Sequence, residues 1–163
     1  MRVVSDTSPI SNLAIIGRLD FLRRRYAEVR IPNAVAEELA CLTRVEARMS
    51  FDAAVMDGWI IKCDNPKPHL SLTDRGFLGV GETAAIDLAL DIKADLLLID
   101  ERKGREVARR HGLIVGGLLG ELLHAKQCGW ISGLKGEILL LRTEARFFVS
   151  AELERLILKE AGE

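Results

Sequence analysis

Short β-prone runs separated by segments of helical spacing constrain this chain more than any other feature. Val3-Val4-Ser5, Val29-Arg30-Ile31, Ile60-Ile61-Lys62-Cys63 and Leu96-Leu97-Leu98-Ile99 read as strands, and Leu113-Ile114-Val115 is a further brief apolar run. None is long enough for an independent helix. Between them, Ile10, Leu13 and Ala14 recur at helical spacing, Leu19 to Tyr26 forms a second helical pattern, and residues 82–92 and 101–111 form two more. Val35, Leu39, Leu42 and Val45 predict one long helix that runs to Gly58, and the stretch through Gly81 reads as irregular loop. Beyond Gly117 the spacing predicts helices over 118–128, 134–143 and 151–161. Strands that alternate with helices pair in parallel, because a parallel connection must cross back over the sheet and a helix does so economically. The fold class is therefore α/β.

In an open parallel sheet, ligands bind beyond the carboxyl ends of the strands. Two of the predicted strands end in aspartate there, Asp6 and Asp100. Either residue alone is also accounted for as a helix N-cap. The helical acids add to this when angles are counted at about 100° per residue. With Val35 at zero, Glu38 falls about 60° away, at the border of the apolar stripe, and Glu37 lies on the far side. With Ile86 at zero, Glu82 falls about 40° away, inside the stripe, whereas Asp87 and Asp91 point outward. A first-turn acid favoured by the helix dipole accounts for Glu82 as well, and an amphipathic edge accounts for Glu38. Four carboxylates at one sheet end repel one another unless a cation neutralises them. Oxygen ligands without Cys or His favour Mg²⁺ or Mn²⁺, which share phosphate oxygens with substrates. Phosphodiester hydrolysis follows from that chemistry.

Other chemistries fit less well. Gly76, Gly79 and Gly81 are not followed by the Gly-Lys-Ser/Thr of a nucleotide loop and read as turn residues. His69, His111 and His124 have no metal-ligand spacing, and no nucleophile–histidine–acid set stands out. Cys41, Cys63 and Cys128 are too scattered for a disulfide framework and are expected as buried thiols. The chain carries 23 basic and 24 acidic residues, a net charge of −1, so no global field draws it to nucleic acid. The distribution is uneven: Arg23 to Arg25 are consecutive, and Arg102, Lys103, Arg105, Arg109 and Arg110 crowd one segment. No membrane-spanning run or signal-peptide pattern is present, which makes the cytoplasm the expected compartment.

The motifs Val4-Ser5-Asp6-Thr7-Ser8-Pro9, Ile31-Pro32-Asn33-Ala34-Val35-Ala36-Glu37-Glu38-Leu39, Gly79-Val80-Gly81-Glu82-Thr83-Ala84-Ala85-Ile86 and Leu97-Leu98-Ile99-Asp100-Glu101-Arg102-Lys103-Gly104-Arg105 follow one another in order. Together they resemble the PIN-domain nucleases, and within them a prokaryotic, toxin-like PIN subgroup. The resemblance implies a three-layer sandwich with a central parallel sheet flanked by helices. It implies a nuclease domain over residues 1–130 and a C-terminal helical extension, 131–163, that packs on the domain or on a partner. Asp6, Glu38, Glu82 and Asp100 fall in the family's acidic positions and would hold Mg²⁺ or Mn²⁺, with Thr7 or Ser8 supporting the metal shell. Arg102, Lys103 and Arg105 are the expected RNA phosphate contacts. The implied activity is endoribonucleolytic, with a small antitoxin protein and a homodimeric state as implied partners. Surplus leucines and isoleucines in the last two helices agree with a homodimer. Two positions depart from the pattern: Glu82 stands where Asp is common, and Leu98 stands where a Thr or Ser hydroxyl is common. A non-catalytic PIN-like interaction module is the alternative reading.

Overall fold

A computed structural model describes all 163 residues. The chain runs β1 (Val3–Ser5), α1 (Thr7–Ile15), α2 (Asp20–Tyr26), β2 (Val29–Pro32), α3 (Asn33–Ala40), α4 (Val45–Met56), β3 (Ile60–Cys63) and α5 (Leu72–Arg75). It continues α6 (Val80–Asp91), β4 (Leu96–Leu98), α7 (Arg102–Arg110), β5 (Val115–Gly116), α8 (Leu118–Gln127), α9 (Leu134–Glu144) and α10 (Ala151–Glu160). All strand pairs are parallel, in the order β3-β2-β1-β4-β5. The helices flank this sheet as an α/β sandwich.

The chain winds outward from β1 through β2 to β3, then returns to lay β4 on the other side of β1. The direction of winding thus reverses between β1 and β4, and the loops leaving these neighbours part to opposite sides. That parting opens a crevice at their carboxyl ends. The register pairs Ser5 with Leu98, and the Asp6 amide donates to the Leu98 carbonyl at 2.9 Å. Asp6 and Asp100 therefore leave adjacent strands at the crevice.

Val3, Val4, Leu97, Leu98 and Ile99 are fully buried, as expected of central strands covered on both faces. Leu134, Ile138, Leu141 and Ile157 of α9 and α10 join the same core cluster as the strands. The Arg18 guanidinium ties α9 down further, with two bonds of 3.0 and 2.9 Å to Glu137.

Four expectations need correction. The long helix predicted after β2 is two helices, because Cys41 ends α3 and residues 41–44 separate it from α4; the shared apolar spacing of Val35 and Val45 hid the break. The loop before α6 contains the short helix α5, capped by the Ser71 hydroxyl on the Asp74 amide at 3.1 Å. Asp87 is 3% exposed instead of pointing outward. Residues 69–75 fold over that face of α6, where the His69 and Leu70 amides and the Arg75 guanidinium all donate to Asp87. Cys41 and Cys128 are exposed and only Cys63 is partly covered, since the first two sit at helix C-caps, where the chain turns into solvent.

Candidate active site

Asp6 begins the site. It precedes α1 in the N-cap position with extended backbone, yet its side chain makes no capping bond. At 4% exposure it is buried, and burial pushes its carboxyl up to about 7. The Thr7 amide opposes that rise, and the charges of Glu82, Glu38 and Asp100 add to it. All three other acids singled out in the sequence therefore lie close enough to repel Asp6.

Asp100 is held by two elements far away in sequence. Its Oδ1 accepts the Leu118 amide at 2.8 Å and its Oδ2 accepts the Ser8 hydroxyl at 3.0 Å. Asp100 thus caps α8 rather than α7, whose N-cap, Glu101, makes no side-chain capping bond. Burial pushes Asp100 up; the Leu118 amide, the Ser8 hydroxyl and Arg105 pull it down. Asn12 in turn donates to the Ser8 oxygen at 3.0 Å. Leu98 is fully buried, so the hydroxyl beside the last acid comes from Ser8 on α1 instead.

Glu38 bridges α3 to its neighbours, accepting the Thr7 hydroxyl and, at 3.1 Å, the Gly81 amide. Glu82 caps its own helix through Oε2, which accepts the Gly79 amide at 2.9 Å. Gly79 and Gly81, expected as turn residues, are helix-start amide donors to the acids, and neither has a positive φ. The other Glu82 oxygen, Oε1, is buried without any hydrogen-bond partner. Burial raises the Glu82 carboxyl first, and Glu101 and Glu38 raise it further against the Gly79 amide.

Close packing accounts for two glycines. A Cβ on Gly104 would lie 2.5 Å from Ile99 Cδ1 and 2.9 Å from Glu82 Oε1. On Gly117 it would lie 2.8 Å from both Asp100 Oδ1 and an Arg105 nitrogen. Arg105 itself is partly buried, with one nitrogen donating to the carbonyls of Ile99 at 2.8 Å and Gly116 at 2.9 Å. It clamps the ends of β4 and β5 together. Arg102 and Lys103 are exposed; Arg102 pairs with Glu106 at 2.9 Å and Lys103 sits 5.8 Å from the Phe77 ring centre.

A family model described as PIN domain matches residues 2–163. The chain belongs to the PIN-domain family. PIN domains are in general nucleases that act on nucleic acid, typically with divalent metal ions. The match runs through α9 and α10 to the last residue. No curated protein and no solved structure matches this PIN domain.

The donor set of the PIN-domain crevice suits a hard divalent cation: every side chain is an oxygen ligand, the charges repel one another, and one buried carboxylate oxygen is unsatisfied. As they stand, no three of these side chains grip a common point. The reason is local, since Glu38, Glu82 and Asp100 each spend oxygens on amides or hydroxyls.

Two contributors escaped the sequence reading. Glu101, exposed at the mouth, raises both Glu82 and Asp100. Glu121, 3% exposed, accepts the Tyr26 hydroxyl at 2.7 Å and Arg25 at 3.1 Å, and its charge and that of Asp100 repel one another. Helical spacing carried the signal for Glu121, which lies three residues after Leu118 and four before Ala125 on the buried stripe.

Proposed function

We propose that this PIN domain is a metal-dependent endoribonuclease in which Asp6, Glu38, Glu82 and Asp100 hold Mg²⁺ or Mn²⁺. The observation that carries the reading is the partnerless, buried Glu82 Oε1 in a crevice where burial, with the charges of Glu82, Glu38 and Asp100 added, raises Asp6 to about 7. Natural structures seldom leave such an oxygen without a donor, and a cation answers both the orphan and the repulsion. When bound, the ion supplies Lewis-acid polarisation of the phosphodiester and activation of the attacking water.

The chain's own groups prepare that chemistry. The Leu118 amide and Ser8 hydroxyl fix the plane of Asp100, and the Gly81 amide with the Thr7 hydroxyl fix Glu38. Such support keeps carboxylates oriented while charge changes around them. Arg102 and Lys103, exposed at the start of α7, lie next to Asp100 in sequence and are the proposed phosphate contacts. Arg105, spent on two carbonyls, positions the loop that carries Asp100. The product expected from the family resemblance carries a 5′-phosphate. A homodimer is supported by Leu139 and Leu156, 59% and 55% exposed on α9 and α10. Pairing with a small antitoxin protein rests on the resemblance alone.

Purified parent, Asp6→Asn and Glu37→Gln are incubated with single-stranded RNA and Mn²⁺, with EDTA as the zero. Cleavage by the parent and Glu37→Gln but not by Asp6→Asn is expected, because Glu37 is exposed on the outer side of α3. Equal cleavage by parent and Asp6→Asn refutes the mechanism. No cleavage by any variant across varied RNAs favours the non-catalytic interaction module.

A further inference from the structure

Two surface hollows meet at Asp100. One, of about 440 Å³, is lined by Ser8, Asn12, Asp100, Glu101, Arg146 and Phe148 among others. The other, of about 660 Å³, adds Arg105, Arg109 and Leu153, and shares Asp100, Phe147 and Phe148 with the first. Both volumes fall in the range of small-ligand sites, ~300–1,000 Å³. The Phe147-Phe148 pair stands at their junction, although it lies 47 residues after Asp100 in the chain.

Phe148 is 85% exposed, and the segment that carries it is pinned on both sides. The Phe147 amide donates to the Leu141 carbonyl at 3.0 Å, closing the end of α9. Arg142 holds the Val149 carbonyl at 3.0 Å, Val149 is buried, and the Ser150 hydroxyl caps α10 on the Leu153 amide at 3.2 Å. The chain is thus fixed on both sides of Phe148 while the ring itself stands in solvent. The residue just before the pair, Arg146, has a φ of 53°, the left-handed conformation that glycine usually supplies at a helix end. Here the position carries a cation instead.

Charge supplies the second argument. Most arginines of this chain are spent on carboxylates, among them Arg18, Arg24, Arg25, Arg44, Arg75 and Arg142. Arg146, in the first hollow, and Arg109, in the second, form no ion pair and are exposed. An unpaired guanidinium on either side of an acidic centre, with a bare aromatic face between, complements a polyanion that carries flat rings.

We propose that Phe148 is a stacking platform for a nucleobase of single-stranded nucleic acid, with Arg146 and Arg109 engaging the phosphates on either side of the strand that crosses Asp100. The inference rests on the nuclease reading and adds the residues that seat the strand. A duplex keeps its bases stacked on one another and offers no free face.

The test uses the full chain and a 5′-fluorescein-labelled 12-nucleotide RNA of mixed sequence, read by anisotropy in EDTA and by cleavage kinetics in Mn²⁺. Phe148→Ala is expected to weaken binding and raise KM about tenfold, the range for loss of one base–aromatic stack being roughly 5- to 160-fold. Its kcat and its calorimetric Mn²⁺ affinity should stay within about twofold of the parent. Phe148→Tyr should retain parental affinity, whereas Phe148→Leu, apolar without a flat face, should not. The same RNA annealed to its complement should show no dependence on Phe148. RNA bound equally by parent and Phe148→Ala, or by neither, overturns the proposal, and parental cleavage measured alongside reports separately whether the nuclease reading stands. A fall in light-scattering mass from dimer to monomer on Phe148→Ala also overturns it, because the ring would then serve a second copy of the chain.

Discussion

Replacing Asp6 with Asn should make the metal-free protein more stable as well as inactive. Burial and three neighbouring carboxylates raise Asp6 from 3.8 to about 7. At about 1.36 kcal/mol per pH unit, holding that group in the fold costs at most about 4 kcal/mol once it must ionise. The sign follows from linkage: the folded-state value is raised, so Asp6's favourable contribution is complete below pH 3.8 and is lost as pH climbs through about 7. Asn has the same shape and no charge, and its amide can donate to neighbouring carboxylates. In EDTA, the Asn variant should therefore gain on the parent progressively between pH 4 and 8. A gain of about 4 kcal/mol corresponds to a rise in Tm of roughly 8–16 °C for a domain of this size. Thermal melts of both proteins at pH 4, 6 and 8 measure it. Adding Mn²⁺ at about 100 times its Kd should return about 2.7 kcal/mol to the parent at pH 8 and much less to the variant. An Asn variant no more stable than the parent at pH 8, or equally stabilised at pH 4 and pH 8, would refute the argument.

Gly104→Ala should lower Mn²⁺ affinity at least tenfold with Asp6 untouched, because its Cβ would meet Glu82 Oε1 at 2.9 Å; parental affinity in calorimetry would show that Glu82 is not a ligand. Arg105→Ala should destabilise by about 1–3 kcal/mol in urea unfolding, since the carbonyls of Ile99 and Gly116 lose a charged donor. Removing Arg102 and Lys103 together should instead leave stability unchanged and reduce the salt slope of RNA binding by about one to two, which a salt titration checks.

The alternation of strands and helices was legible because each short apolar run is too brief for an independent helix, and the parallel order follows from the helices between. Asp6 and Asp100 were legible as strand-end residues, and Glu38 and Glu82 as helical acids on or beside an apolar stripe. What the sequence concealed is tertiary. Nothing local to Asp100 indicates that Ser8 and the Leu118 amide hold it, since these lie 92 and 18 residues away. Arg105 looked like a phosphate contact within a basic run, but the carbonyls that occupy it come from the ends of two different strands. Asp87 fell outside the counted stripe because the angle count sees one helix and not the segment that folds across it. Phe148 gave no periodic signal at all; its meaning comes from the turn after α9 that brings it beside Asp100.

Where a metal ion binds decides whether the four acids form one site. Crystals of the parent grown with Mn²⁺ and measured at the manganese edge should give an anomalous peak within bonding distance of Asp6, of Glu82 Oε1 and of at least one of Glu38 and Asp100. The same experiment on Asp6→Asn should lose that peak. A peak elsewhere on the surface, or none between the ends of β1 and β4 in well-ordered parent crystals, would contradict the account.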